Sequence, residues 1–154
     1  MPNASRMTGV AVDGKDEAIL AALKANSRLS EKKLARATGI PMTTVHNRLK
    51  KLEASKVIKG YTALVDYTKL GKPITAFVLV KAGPQADQKK LLSHIANLSG
   101  VFEAAMITGE FDMLFKARVA NMEELNKLVV QGLRREESIS ETRTMISYET
   151  VEKP

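Results

Sequence analysis

Residues 30–61, SEKKLARATGIPMTTVHNRLKKLEASKVIKGY, constrain the fold more tightly than any other stretch of this chain. Ser30 suits an N-cap, because its hydroxyl accepts from an otherwise orphan backbone N–H of the first turn. Leu34 and Ala35 supply the buried stripe of a short helix, and Ala35 is small enough for two helices to cross closely. Gly39 takes the left-handed backbone that ends a helix without a Cβ clash. Pro41 suits the first turn of the next helix, where its missing N–H costs nothing. Val45, Leu49 and Leu52 then repeat at i, i+4 and i+7, one stripe of a second helix. The pattern predicts a helix-turn-helix, closed by a wing whose strand is the run 57–61, VIKGY. Two helices and a turn also make a plain αα-hairpin, so the function rests on the surface chemistry.

At about 100° per residue, Thr43, Asn47 and Lys50 point away from the apolar stripe. Thr44, His46 and Lys51 lie on its shoulders. A recognition helix needs donors and acceptors that reach base edges, flanked by cations for phosphates. Asn pairs two-pronged with adenine, and a Thr methyl touches the thymine methyl. Arg48 lies nearer the buried edge, where it reaches back to a phosphate or pairs with an acid inside the domain. Thr43, Thr44, His46, Asn47, Arg48, Lys50 and Lys51 are the candidate DNA-binding residues. Any solvated helix face carries such side chains, so their setting between a glycine turn and a strand is what favours DNA.

The charge distribution agrees. The chain of 154 residues carries a formal net charge of +7. Residues 1–66 hold 12 basic and 6 acidic side chains, net +6, and residues 67–154 hold 12 and 11, net +1. The excess sits on the helix-turn-helix half, as a phosphate-binding surface requires. There is no cysteine, and only His46 and His94 are available as imidazole ligands. Disulfides and thiolate metal sites are excluded, and no metal or other cofactor is expected. No apolar run approaches the roughly 20 residues of a membrane span. Residues 1–12 lack the charged start and apolar core of a secretory signal and read as a loose tail. A cytoplasmic protein is expected.

Asp13 caps a first helix, with Asp16 and Glu17 in its favourable first turn and Ile19, Leu20 and Leu23 on its buried face. Residues 13–65 therefore form a three-helix winged domain. Residues 66–73, DYTKLGKP, are punctuated by Gly71 and Pro73 and read as a linker. Residues 74–154 read as six segments. Residues 74–81 form a nearly continuous apolar strand, so both its faces should be buried. Residues 86–98 form a helix and 101–108 a second strand. In 111–119, Phe111, Met113, Phe115, Ala117 and Val119 alternate with polar residues. Asn121 caps another helix with Leu125, Leu128, Val129 and Leu133 inside, and 139–151 form a long last strand. The order β-α-β-β-α-β is the ferredoxin-like split arrangement, an α+β fold, with Gly109–Glu110 turning its central hairpin. Its helices cover one sheet face only. A second copy of the sheet on the other face gives a symmetric dimer, and a reader of two DNA half-sites also needs two copies.

With these segments in place, the chain resembles the leucine-responsive regulatory protein/AsnC family of feast/famine transcription regulators over about residues 12–150. The resemblance rests on VDGKDEAIL, on RLSEKKLARATGIPMTTVHNRLKKLEASKVIKGYTALVD, on the hinge KLG, on TGEFDMLFKARV and on SISETRTMISYE. It implies that the first half binds double-stranded DNA. It implies that the second half is an ACT-like domain that senses an amino acid or related metabolite and builds homodimers, with tetramers or octamers beyond them. It also implies that Thr108, Gly109, Glu110, Phe111 and Asp112 border the effector pocket, formed where dimers meet. A glycine there admits a ligand's charged backbone groups, and Asp112 accepts from an α-ammonium. On the other reading Gly109 merely makes the turn and Asp112 caps it. Pro41 departs from the family pattern, which commonly has a capping Ser, and the tail before Val12 is longer than usual.

The leading expectation is a sequence-specific DNA-binding transcription regulator under metabolite control. An architectural protein that coats DNA with little effector control is the alternative. An enzyme is not expected: no carboxylate pair, Ser/His/Asp set or phosphate loop stands out, and Met and Phe at strand positions are ordinary core.

Overall fold

The computed structural model describes residues 11–133 and 136–150. They fall into two compact units, one running to Leu64 and the other starting at Val65. Residues 1–10 of the expected tail lie outside the described residues.

The first unit is built from α1 (Gly14–Ala25), α2 (Glu31–Thr38) and α3 (Met42–Ala54). Each start is set by local chemistry. The Asp13 carboxylate accepts from the backbone N–H of Lys15 and Asp16, and the Asp16 carboxylate accepts from the N–H of Asp13, a reciprocal cap. Ser30 Oγ accepts from the Lys33 N–H. Gly39 has φ 70°, and its N–H bonds the Ala35 carbonyl at 2.9 Å, so α2 ends in the left-handed residue that glycine tolerates best. Pro41 sits one position earlier than expected, as the extended residue preceding α3. Ile19, Leu23, Leu34, Ile40, Val45, Leu49 and Leu52 close the core.

The strand expected at 57–61 does not form. A wing needs a second run to ladder with, and no described run pairs with this one. Instead, Lys56 adopts φ 60° and turns the chain at the end of α3. The Ile58 N–H bonds the Leu52 carbonyl at 3.0 Å and its side chain packs on the core. The chain then passes the end of α1, leaving a groove of about 660 Å³ walled by Leu20, Leu23, Ile58 and Leu64. Tyr61 Oη donates to Glu53 Oε1 across 2.8 Å. Partial burial, then that carboxylate, push the phenol above its ordinary value.

The second unit follows the expected order: β1 (Ile74–Ala82), α4 (Gln88–Ala96), β2 (Val101–Met106), β3 (Met113–Val119), α5 (Met122–Asn126), a π-helical turn Lys127–Gln131 that continues α5, and β4 (Ile139–Ile146). The sheet order is β2-β3-β1-β4 with every neighbouring pair antiparallel. Alternation in β1 and β3 aims Ala76, Val78, Val80, Met113, Phe115, Ala117 and Val119 into one core with Leu91, Ile95, Leu125, Leu128, Val129 and Leu133.

Several boundaries differ from expectation. The helix read at 86–98 starts two residues later, because Ala86 bonds back to Gly83 in a turn and Asp87 is the cap, its carboxylate accepting from the Lys90 N–H. The last strand ends at Ile146, where Ser147 takes up side-chain bonds with Glu149 and Thr150; residue 151 lies outside the described residues. Residues 66–73 are a tight turn belonging to the second unit: Asp66 Oδ1 accepts from the Thr68 N–H, and Lys72 N–H bonds the Tyr67 carbonyl. On β1 only alternate residues are buried in one chain, since Phe77 and Leu79 on the other face are half-covered. Met145 shares that open face, 44% exposed.

Candidate DNA-recognition face and effector turn

Helix α3 buries Val45, Leu49 and Leu52. That fixes the rotation of the helix, and the seven candidates divide accordingly. Thr43, Asn47, Lys50 and Lys51 are exposed, while Thr44, His46 and Arg48 are half-buried on the flanks. Met42, Thr43, His46 and Asn47 share a shallow hollow of about 270 Å³ with Glu31 of α2. Donors, acceptors and a methyl group therefore lie together at the start of α3, with two lysines one to two turns on.

Arg48 stands apart. Its Nη1 donates to Asp13 Oδ1 at 2.6 Å and to Asp16 Oδ1 at 2.9 Å. Asp16 is 1% exposed. The choice that the sequence left open is thereby made: Arg48 ties α3 to the cap of α1 and holds the buried carboxylate's countercharge. The hydrogen bond from Arg48, then the N–H of Asp16, hold the Asp13 carboxyl below its ordinary range against a smaller effect of burial. The same bonds to Asp13 and Asp16 push the guanidinium up. Lys51 Nζ donates to the Ala11 carbonyl at 3.5 Å, a long bond that leaves the ammonium at the surface. His46 Nδ1 lies 2.8 Å from Glu31 Oε1. Sequence reasoning named neither Glu31 nor Asp16 as a partner. In the sequence each reads as a first-turn helix-dipole acid, and no periodicity links residues on different helices.

The candidate effector turn lies between β2 and β3. Thr108, Gly109 and Glu110 are exposed, whereas Phe111 is 5% exposed beneath the Arg143 guanidinium, 4.8 Å from its ring centre. Arg143 also lies 3.6 Å from Glu110. Gly109 has φ 126°, a backbone that L side chains rarely adopt. Asp112 is engaged on both oxygens: Oδ2 accepts from the Ala82 N–H at 2.8 Å and Oδ1 from Gln88 Nε2 at 3.4 Å. Ala82 sits at the register shift of β1 against β4. The capping role of Asp112 is thus present in one chain, though the group it caps is the end of β1. A separate polar cavity of about 330 Å³ lies at the other end of β1, walled by Asp66, Tyr67, Lys72, Arg118 and Glu149. There the Arg118 guanidinium is stacked between the rings of Tyr67 and Phe102, 4.0 Å from each. Sequence reasoning did not single out this cavity.

Residues 12–53 match the AsnC-type helix-turn-helix domain, and residues 75–154 match the Lrp/AsnC ligand binding domain. The chain belongs to the Lrp/AsnC family. An HTH-type transcriptional regulator of Pyrococcus furiosus is 39% identical to it over 142 residues, 91% of this chain and 95% of that one. Among solved Lrp/AsnC structures, AsnC of E. coli superposes with TM-score 0.82 at 25% identity, covering 94% of this chain and 100% of that chain. A transcriptional regulator of Neisseria meningitidis, solved as a complex with L-Met, superposes with TM-score 0.85 at 22% identity over 92% of this chain and 93% of that chain. Membership fixes the class as a transcription regulator with a helix-turn-helix half. No helix among the described residues is long and apolar enough to cross a membrane.

Proposed function

We propose that this protein is a sequence-specific DNA-binding transcription regulator that works in the cytoplasm as a homodimer under the control of an amino acid or related metabolite. The observation that carries the reading is the exposed face of α3. Thr43 and Asn47 are placed for base edges, with Lys50 and Lys51 beside them for phosphates, on the half of the chain that holds the charge excess. Thr44 and His46 flank the contact, and Arg48 supports the helix from inside. The half-covered sheet face of Phe77, Leu79 and Met145 supports a dimer, since an apolar sheet face left to water is an unsatisfied surface. Two linked readers raise avidity by making the second half-site contact effectively intramolecular. The methionine-bound relative supports an amino acid as the effector. In this reading the ligand docks at residues 108–112, beside Asp112, with another copy completing the site.

The test is selection of genomic fragments by the purified full chain, followed by affinity measured across salt. A regulator of this kind recovers a recurrent two-fold motif and shows a log–log salt slope of about −0.9 per phosphate contacted. Recovery of fragments with no shared motif contradicts sequence-specific reading.

A further inference from the structure

Glu31, first residue of α2, presents its carboxylate to the neighbouring helix, against the hollow at the start of α3. An acid there opposes phosphate, so its presence calls for a reason.

We propose that Glu31 is a positioning residue for DNA recognition: its carboxylate holds His46 in the tautomer that presents Nε2 to the major groove as a hydrogen-bond acceptor. This rests on α3 being the recognition helix. Nδ1 lies 2.8 Å from Glu31 Oε1, and an ionised carboxylate only accepts, so the ring must carry its proton on Nδ1. In the neutral imidazole that leaves Nε2 as the acceptor, the hydrogen bond at one nitrogen setting the role of the other. Nε2 has no partner among the described residues, and none of their buried side-chain polar atoms lacks one, so Nε2 is open to solvent. His46 is 43% exposed beside Thr43 and Asn47.

The consequence is a base preference. In the major groove, adenine and cytosine offer exocyclic amine donors, while guanine and thymine offer carbonyl acceptors. An Nε2 acceptor selects an amine-bearing base at one position of each half-site. A ring released from Glu31 is free to carry its proton on Nε2 and then donates, which suits a carbonyl oxygen or a purine N7 and removes the advantage of the exocyclic amine. Glu31 thus sets a base choice without touching a base.

The experiment compares Glu31→Gln with Glu31→Ala in the full chain. Both remove the same charge, but the Gln side-chain oxygen still accepts from Nδ1–H. Fragment selection reads the base preference, and the ¹⁵N shifts of the His46 ring read the tautomer directly. The expected result is an Nδ1–H ring and a wild-type motif for Glu31→Gln. Glu31→Ala should show the opposite tautomer and about a tenfold loss of preference for the amine-bearing base, with DNA affinity otherwise retained. An Nε2–H ring in the wild-type protein, or one motif shared by all three proteins, overturns the role of Glu31 and leaves α3 as the reader. Failure of the wild-type protein to bind any fragment overturns the recognition reading itself and this role with it.

Discussion

Leu52→Ala separates the two units energetically. Leu52 is fully buried in a core shared with Ile19, Leu34 and Val45. Its carbonyl also receives the Ile58 N–H, so the site lies where α3, α1 and the departing chain meet. Trimming a fully buried leucine costs its transfer energy plus the cavity left behind, about 3–4 kcal/mol where helices from several directions limit collapse. At ~0.05–0.15 kcal/mol per residue, a unit of this size holds only roughly 3–8 kcal/mol in total. The substitution therefore removes roughly two-fifths or more of the stability of the first unit and lowers its midpoint by about 12 °C or more. The second unit shares no core residue with it and keeps its own transition. Calorimetry of the full chain, followed in parallel by the near-ultraviolet signal of each unit's tyrosines, reads both transitions. Met42→Ala, at a 53% exposed position, is the control and should stay within ~0.5 kcal/mol. The reasoning fails if both transitions shift together, or if Leu52→Ala leaves the first one in place.

Further outcomes follow from the same geometry. Arg48→Met should lower the first unit's melting temperature and leave the salt slope of DNA binding unchanged; a slope reduced by about one counterion at unaltered stability would return Arg48 to the phosphate contacts. Because the folded Asp13 carboxyl sits below its ordinary value, its contribution is complete above the ordinary Asp range and is lost as pH falls through the depressed value. Acid titration of the wild-type protein should show that loss, and Arg48→Met should show less of it. Asp112→Ala removes the acceptor for the Ala82 N–H and should destabilise the second unit by about 1–3 kcal/mol. Asp112→Asn keeps an acceptor and should largely spare the fold while weakening amino-acid binding, read by calorimetry; full affinity in Asp112→Asn places the pocket elsewhere. A fragment of residues 65–154 should sediment as a dimer, and Phe77→Lys in that fragment as a monomer.

The fold was largely legible because its signals are local. Caps at Asp13, Ser30 and Asn121 rest on bonds within one turn, and the alternation from Phe111 to Val119 reads one face of a strand. The wing was misread for the converse reason: Val57–Ile58 has strand composition, but a strand exists only with a partner, and pairing is not a property of one segment. The candidate site shows the same division. Helical spacing separated the exposed Thr43, Asn47 and Lys50 from the buried stripe. It could not supply the partners of Arg48 or His46, which come from Asp13, Asp16 and Glu31 on other elements. Nor could it show that both Asp112 oxygens are engaged, because Ala82 and Gln88 reach it only through the sheet and the turn into α4.

The measurement that bears most directly on the central claim is the affinity of Asn47→Ala and Lys51→Ala for a selected operator and for random DNA, each across a range of salt. Asn47→Ala should cost roughly 1–3 kcal/mol on the operator, blur preference at one position per half-site and leave random DNA alone. Lys51→Ala should weaken both DNAs alike and reduce the salt slope by about one counterion. Equal losses from both changes on every sequence would contradict base reading by α3.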